Sequence, residues 1–246
     1  MATREAELKR LSIRPLRSLD DYYATVHLQK RIWGFEDADR VAPRLFGVFN
    51  HIGGACLGAY LDEVMVGYTL AFAAFKADHR AYWHSHMAGV DPSKQGLGIG
   101  YQLKLRQREE ALARGLDLIE WTFDPLQSRN AYFNIEKLGA TVEAYLPNLY
   151  GVTSSELHGA LPTDRLVAAW HLDQPSVTRR LAGTQPAPVR GQAAIAIPSR
   201  ISDVPREEAA KIQALVRERF QAAFDANLRV TSFERTSDGG VYHLDE

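Results

Sequence analysis

Apolar runs separated by polar or glycine-containing turns occupy the first ninety residues and predict strands. Residues 11–16 alternate apolar with polar side chains, and residues 55–60, 64–75 and 82–90 are rich in apolar and aromatic residues. The polar pair at 62–63 joins the second run to the third and is typical of a tight turn. The pattern therefore predicts an antiparallel hairpin followed by another strand.

Two helices are predicted between the first and second strands. Asp20 can cap a stretch with apolar residues at helical spacing, and Gly34 stops it. Pro43 favours the first turn of the next helix.

Strands and helices alternate after residue 97. Residues 98–114 are good helix formers, Tyr101, Leu105 and Leu112 are spaced to share one face, and Gly115 can stop the helix in the left-handed conformation. Strands are predicted at residues 116–123, 140–145 and 166–172, with a helix at residues 128–138 that Ser128 caps and Gly139 closes. The fold class predicted is α/β, with a mixed sheet.

Composition divides the chain into three regions. Residues 1–175 hold the elements above, residues 176–192 are rich in Pro, Gly, Thr and Arg and indicate a linker, and residues 193–246 form a small extension. The extension is predicted to contain a strand at 194–197, a helix at 206–225 and a hairpin of residues 229–234 and 241–244. A segment this short can hardly bury its own core, so we expect it to pack on the main domain or on another subunit of a homodimer.

Charge and composition exclude several classes of protein. The 246 residues include 29 basic and 30 acidic side chains, a balance without the basic excess that nucleic-acid binding uses. The single cysteine, Cys56, lies in an apolar run and indicates a buried structural thiol rather than a nucleophile. Neither a signal peptide nor a membrane span is apparent, so we expect a cytoplasmic protein with no membrane partner.

A glycine-rich turn lies between the strand ending at Val90 and the following helix. Gln95, Gly96, Gly98 and Gly100 run directly into the helix, where glycine lets the backbone approach a ligand and first-turn amides attract phosphate. A diphosphate is the best-matched anion. Lys94 could add a charge there or could be a solvated turn residue. The segment lacks the end of a P-loop and the complete dinucleotide-binding fingerprint.

The pattern Gln-x-x-Gly-x-Gly after a strand resembles the acyl-CoA-binding signature of the GCN5-related N-acetyltransferase (GNAT) superfamily. A second segment, RNAYFNIEKLGA, resembles the helix that abuts the pantetheine arm in that superfamily. The resemblance covers about residues 11–173, with strong motifs only at residues 87–139. The stretches WTFDPLQSRNA, NLYG and LPTDRLVAAW also look like a poorly characterised GNAT-like subfamily whose members carry a similar C-terminal extension.

The resemblance implies a sheet that opens between strands 82–90 and 116–123, with acyl-CoA in the opening. Backbone groups near Ala88 and Val90 would bind the pantetheine and polarise the thioester carbonyl. The residues expected to bind CoA are Ala88, Val90, Gln95, Gly96, Gly98, Ile99, Gly100, Asn130 and Asn134. Acetyl-CoA or another acyl-CoA is the implied cosubstrate, and no metal is implied.

The implied reaction needs a base for the attacking amine. Glu120 is the first candidate, because it lies in the middle of an apolar strand where burial would raise its pKa; it could instead face solvent or pair with an arginine. His86 is the alternative, with His84 two residues away on the same strand face. Two histidines with no evident third ligand do not indicate a zinc site.

The sequence gives weaker signals for the remaining roles. These are the acid that protonates the departing thiolate and the groups that bind the acceptor. The family commonly has a tyrosine immediately before Glu-Lys-Leu-Gly, where this chain has Ile135. Tyr145 or Tyr150 could substitute, and Tyr150 is favoured because it lies in a loop, although it could simply pack. Asp124 could orient an amine or cap its own loop, and Arg165 could bind a carboxylate or pair with a neighbouring acid.

These observations predict an acyltransferase of the N-acetyltransferase type, which transfers groups other than aminoacyl groups. An acetyl or succinyl group would pass from the CoA thioester to a small amine or an amino acid by direct attack in a ternary complex. The absence of the usual tyrosine keeps open a second hypothesis, a CoA-binding sensor or assembly module without catalysis.

Overall fold

The computed structural model describes residues 2–151, 161–184 and 191–246. The chain divides after Ile119 into two compact units. No described helix combines the length and the apolar character that crossing a membrane requires.

The first unit contains a four-stranded antiparallel sheet in the order β1-β2-β3-β4. Its strands are β1 (Leu11–Pro15), β2 (Ala55–Leu61), β3 (Val64–Phe75) and β4 (Ala81–Val90). Its helices are α1 (Ala2–Lys9), α2 (Leu19–Trp33), α3 (Pro43–His51) and α4 (Ile99–Leu112), with short 3-10 turns at Asp37–Asp39 and Pro92–Lys94.

Helices cover both faces of this sheet. Leu28 of α2 and Phe46 of α3 belong to one apolar cluster with Cys56 of β2. Ile99 of α4 belongs to a second cluster with Leu57, the next residue of β2. Consecutive strand residues point to opposite faces, so the two clusters lie on opposite sides of the sheet.

The prediction for Cys56 is confirmed. Its side chain is 1% exposed, its Sγ donates to the Phe46 carbonyl at 3.6 Å, and burial raises the pKa of the thiol to about 12. The thiol is therefore a packing group.

Two helix details differ from the sequence prediction. Ser18, rather than Asp20, caps α2: its hydroxyl accepts the Asp21 amide at 3.1 Å, and the Asp21 carboxylate accepts the Ser18 amide at 3.1 Å. The buried face of α4 is not the predicted one. It consists of Ile99, Leu103, Lys104, Gln107 and Ala111.

The second unit begins within β5 and contains a sheet in the order β5-β7-β6-β9-β10-β8. Its strands are β5 (Leu118–Phe123), β6 (Thr141–Leu146), β7 (Arg165–His171), β8 (Ala193–Pro198), β9 (Arg229–Arg235) and β10 (Gly239–Asp245). Its helices are α5 (Ser128–Ala131), a π-helical segment (Tyr132–Lys137), α6 (Pro175–Leu181) and α7 (Arg206–Asp225), with a 3-10 turn at Ile201–Asp203.

Residues 193–246 continue the sheet of the second unit. Val142 of β6 pairs with Val230 of β9 in the antiparallel direction, and β10 and β8 follow beyond β9. Phe220 of α7 packs against Tyr145 and Tyr242, with ring centroids 5.8 and 5.1 Å apart. The extension thus shares an apolar core with β6.

The predicted linker is partly helical. Its first residues belong to α6, whose Val177 is fully buried. Residues 185–190 of the predicted linker lie outside the described residues.

Candidate active site

The glycine turn after β4 has a backbone conformation that favours glycine. Gly96 and Gly98 have φ angles of +83° and +96°. A Cβ at Gly96 would meet no atom within 4 Å, so conformation rather than packing favours glycine there. Gln95 closes the turn by donating from Nε2 to the Val90 carbonyl at 3.2 Å.

The first turn of α4 is open to an external acceptor. Gly98 is its N-cap and provides no side chain. The Tyr101 amide bonds to the Gly98 carbonyl at 3.1 Å, whereas the amides of Ile99 and Gly100 precede the first residue that can bond within the helix. A Cβ at Gly100 would lie 3.6 Å from Val90 Cγ2, an ordinary contact. Packing within the protein therefore does not require glycine at position 100.

Two ion pairs hold this turn in place. Asp91 is 3% exposed, accepts the Ser93 amide at 3.0 Å and lies 2.7 Å from Arg31 Nη2. Lys94 Nζ lies 2.8 Å from Glu7 Oε1 of α1. Lys94 is thus paired with an acid rather than fully solvated.

The residues predicted to bind the pantetheine through their backbone lie near the end of β4. Ala88 pairs with Thr69 and Val90 with Gly67 of β3. The Ala88 side chain is exposed. The predicted opening of the sheet beside β4 stays a prediction.

Two histidines lie side by side on β4, next to a register shift. Ser85 and Met87 both have partners on β3, and His86 between them has none, which is the pattern of a β-bulge. The His84 and His86 ring centroids lie 6.1 Å apart, and both rings contact Phe72, at 5.2 and 5.8 Å. The two rings therefore form one aromatic cluster, as their spacing in the sequence predicted.

Both histidines favour the neutral form. Desolvation lowers the pKa of His84 to about 4, and the charges of His86 and Lys104 act in the same direction. Desolvation also lowers the pKa of His86, although the residue is exposed. A neutral imidazole can accept a proton at neutral pH.

A buried lysine of α4 forms a hydrogen bond with β4. Lys104 of α4 is 3% exposed, and its Nζ donates to Gln107 Oε1 at 2.8 Å and to Ser85 Oγ at 3.2 Å. Burial lowers the pKa of Lys104 to about 7. Within the described residues, Gln107 Nε2 and Thr69 Oγ1 are buried without a hydrogen-bond partner.

In the second unit, Tyr150 lies beside the strand face that carries Glu120. Glu120 is 7% exposed in the middle of β5, and Thr122 lies two residues further along on the same face. The hydroxyls of Tyr150 and Thr122 are 2.9 Å apart. The Tyr150 side chain remains 42% exposed, so it is accessible to a substrate.

Arg165 stacks on the same tyrosine. Its guanidinium carbon lies 5.3 Å from the centroid of the Tyr150 ring. Burial lowers the pKa of Arg165, and the charges of Asp124, Tyr150 and Asp164 oppose this effect. Asp124 Oδ1 accepts the Leu126 amide at 2.8 Å, the loop-capping contact that was its alternative role. Arg165 therefore contacts Tyr150 and interacts electrostatically with Asp124.

The other candidates for an acid are enclosed. Tyr145 donates from its hydroxyl to Asp164 Oδ2 at 2.6 Å, and burial together with this bond raises its pKa. Ile135, at the position where the family commonly has tyrosine, is 1% exposed. Of Tyr145 and Tyr150, only Tyr150 is an exposed residue.

The two asparagines of the RNAYFNIEKLGA segment differ in exposure. Asn130 is exposed on α5, whereas Asn134 is 5% exposed in the π-helical segment. The Asn134 carbonyl accepts the Ala140 amide at 3.0 Å. Single π-helical turns of this kind often occur at functional sites.

Three of the residues described above, one in the first unit and two in the second, are not among the functional candidates that the sequence predicts. Thr122 could have been found from its alternation with Glu120. Lys104 falls among polar residues of α4 and gives no sequence signal of burial. The sequence predicts Asp164 only as the neighbouring acid with which Arg165 could pair, and it gives no signal of the bond between Asp164 and Tyr145. The described residues contain no group of three or more potential metal ligands.

Solved structures share this fold. The structure of yncA from Salmonella typhimurium with its cofactor acetyl-CoA matches with a TM-score of 0.54 and 20% identity, over 67% of this chain and 95% of that chain. The ribosomal-protein-S18-alanine N-acetyltransferase from Escherichia coli matches with a TM-score of 0.52 and 18% identity, over 67% and 95%. This chain has the GNAT acyltransferase fold.

A third solved structure also shares the fold. Arabidopsis thaliana Naa50, in complex with the bisubstrate analogue CoA-Ac-MVNAL, matches with a TM-score of 0.51 and 15% identity, over 65% of this chain and 97% of that chain. No family model matches the sequence, and no curated protein matches it. About a third of this chain lies outside the part that each GNAT structure covers.

Proposed function

We propose that this chain is an acyl-CoA-dependent N-acyltransferase that transfers an acetyl or succinyl group to a small amine or an amino acid. The glycine turn carries the proposal. Gly96 and Gly98 adopt left-handed conformations between β4 and α4, and Gly100 leaves space at a helix start with open amides. Within a GNAT fold, this arrangement suits the diphosphate of CoA.

The reaction we propose is a direct transfer in a ternary complex. The nitrogen of the neutral amine attacks the thioester carbonyl carbon, the carbon–sulfur bond breaks, and the sulfur leaves with the bonding electrons as CoA thiolate. A base takes the proton that the nitrogen loses, and an acid returns a proton to the sulfur. Alignment of amine and thioester supplies much of the rate.

Named residues are assigned to these proton transfers. Glu120 is the first candidate for the base, and His86 is the second because its neutral form is favoured. Tyr150 is the proposed acid, since the residue is exposed and its ring lies under the Arg165 guanidinium.

Arg165 and Asp124 are the proposed contacts of the acceptor. An amino-acid acceptor would present a carboxylate to Arg165 and its ammonium group, before deprotonation, to Asp124. The opposite charges of the two side chains support this choice over a purely apolar amine.

The activity is tested by release of free thiol. The protein is incubated with acetyl-CoA or succinyl-CoA and a panel of amines and amino acids, and free CoA is measured with a thiol reagent. We expect release that depends on the acceptor, and the acylated product is identified by mass spectrometry. The Gly98→Asp variant is the control, because its carboxylate would repel the diphosphate.

A second function is favoured by one observation. Ile135 replaces the tyrosine of the family and is buried, so the chain could bind CoA without catalysis, as a sensor or assembly module. Thermal stabilisation by CoA with no thiol release from any acceptor would support that function.

A further inference from the structure

The C-terminal helix α7 is joined to Asp164 by a bidentate ion pair. Arg217 Nε and Nη2 donate to the two carboxylate oxygens of Asp164, both at 2.9 Å. The Asp164 side chain is completely buried, whereas Arg217 is 33% exposed. A second α7 residue, Gln213, donates from Nε2 to the Pro162 carbonyl at 2.8 Å. Two side chains of α7 therefore hold the segment that precedes β7.

Asp164 also binds the loop that follows β6. Its Oδ2 accepts the Tyr145 hydroxyl at 2.6 Å, and its Oδ1 accepts the Asn148 amide at 2.9 Å. Asn148 has a φ of +46°, a conformation that ordinary residues adopt rarely. The carboxylate thus fixes a turn with an uncommon backbone conformation.

Thr163 continues the connection to Tyr150. The Thr163 hydroxyl accepts the Tyr150 amide at 2.9 Å and donates to the Gly151 carbonyl at 2.9 Å. The Leu149 amide bonds to the Thr163 carbonyl at 3.0 Å, and Asn148 Oδ1 accepts the Thr163 amide at 3.2 Å. Tyr150 lies outside any strand or helix, so these bonds determine where its backbone lies.

We propose that Arg217 is a positioning residue for Tyr150, and that α7 of the extension thereby sets the geometry of the acceptor site. This proposal rests on the role of Tyr150 in the proposed function. Arg217 acts through Asp164 and Thr163 and need not touch a substrate. The extension would then contribute to the geometry of the acceptor site as well as to the core of the second unit.

The test that needs no activity measures hydrogen exchange of backbone amides in the free protein. In Arg217→Met, we expect the amides of residues 148–151 to exchange at least tenfold faster, with less than a twofold change in β9 and β10. Arg219→Met is the matched control, because Arg219 is exposed on the same helix. Unchanged exchange at 148–151, or an equal increase throughout the second unit, would overturn the proposal.

A second variant tests the proposal even if Arg217→Met fails to fold. Arg217→Met leaves the buried Asp164 carboxylate without its cation, which can prevent folding. The double variant Asp164→Asn/Arg217→Met removes that charge, while the contact with α7 remains absent. We expect the same local increase in exchange, and protection equal to the wild type would contradict the proposal.

Kinetic measurements distinguish a role of Arg217 in positioning Tyr150 from a role in the stability of the protein. We expect Arg217→Met to lower kcat about tenfold with KM for acyl-CoA unchanged, and Arg217→Lys to restore part of kcat. In the Tyr150→Phe background the Arg217 change should have no further effect, because both act through one hydroxyl. Additive losses would contradict the proposal. Absence of any wild-type turnover would reject the proposed function while leaving the exchange result valid.

Discussion

The Arg180 guanidinium lies 2.6 Å from one carboxylate oxygen of Glu136, and the other oxygen accepts the Phe233 amide at 2.8 Å. The side chains of Arg180 and Glu136 are at most 10% exposed. One buried carboxylate therefore joins the π-helical segment, α6 and β9. In this chain, Glu136 of the family motif binds the extension.

Removing the cation of this pair should destabilise the second unit. Arg180→Met leaves a buried carboxylate uncompensated, and losses of about 3–5 kcal/mol are usual for such changes. We expect a decrease of this size in the free energy of unfolding, measured by urea denaturation.

The exposed neighbour Arg179 provides the control for this prediction. Arg179→Met should change the unfolding free energy by less than about 0.5 kcal/mol. If Arg180→Met were as stable as that control, the ion pair would not support the structure.

Sequence patterns predicted most elements, because their signals are local. The helix predicted at residues 206–225 coincides with α7, and the polar pair at 62–63 does form the β2–β3 turn, with both residues at positive φ. Helix α1 was missed because its residues are mostly polar and have no apolar period. The cap of α2 was misplaced by two residues, since Ser18 and Asp20 are both good caps.

The site was less predictable, because its contacts join distant parts of the chain. The glycine turn was found from consecutive residues, and Tyr150 was chosen because it lies in a loop. The Asp164–Arg217 pair spans 53 positions and has no sequence signal. The sequence does not indicate the burial of Lys104 either, because its acceptor Ser85 lies on another element.

Gly100→Ala should separate ligand binding from stability. The added Cβ has room within the protein, and alanine favours a helix over glycine by up to about 1 kcal/mol. We therefore expect a melting temperature equal to or above that of the wild type. CoA affinity, measured by calorimetry, should fall at least tenfold because the methyl group occupies space beside the diphosphate.

Gly98→Ala is the companion variant. Its φ of +96° is unfavourable for alanine, so this change should destabilise the protein by about 1–2 kcal/mol as well as weaken CoA binding. A stable Gly100→Ala protein with wild-type CoA affinity would exclude the start of α4 from the CoA site.

Lys104 should make stability rise with pH. Burial lowers its pKa in the folded protein to about 7, against roughly 10.4 in an unfolded chain. Between these values the unfolded state binds more protons, so the unfolding free energy should increase by up to about 1.4 kcal/mol per pH unit. Urea denaturation at pH 7.0, 7.5, 8.0 and 8.5 should show this slope in the wild type and a smaller one in Lys104→Met.

Cys56 limits the pH range of that experiment. Burial raises the pKa of its thiol to about 12, so above roughly pH 8.5 the unfolded chain loses this proton first, and this contribution opposes the rise in stability that Lys104 causes. Lys30→Met, at an exposed position of α2, should keep the wild-type slope. An equal slope in Lys104→Met and the wild type would show that Lys104 keeps an ordinary pKa.

Glu120→Gln and His86→Gln should identify the base. Loss of a general base lowers turnover by about 10²–10⁴ at neutral pH, and higher pH restores part of it because more of the amine is already neutral. We expect this behaviour for Glu120→Gln, with thiol release followed from pH 6 to 9. His86→Gln should retain most activity. The acid side of its profile of thiol release against pH should match that of the wild type. If only His86→Gln showed the large loss and abolished the acid side of that profile, the base would lie on β4, where desolvation lowers the pKa of His86.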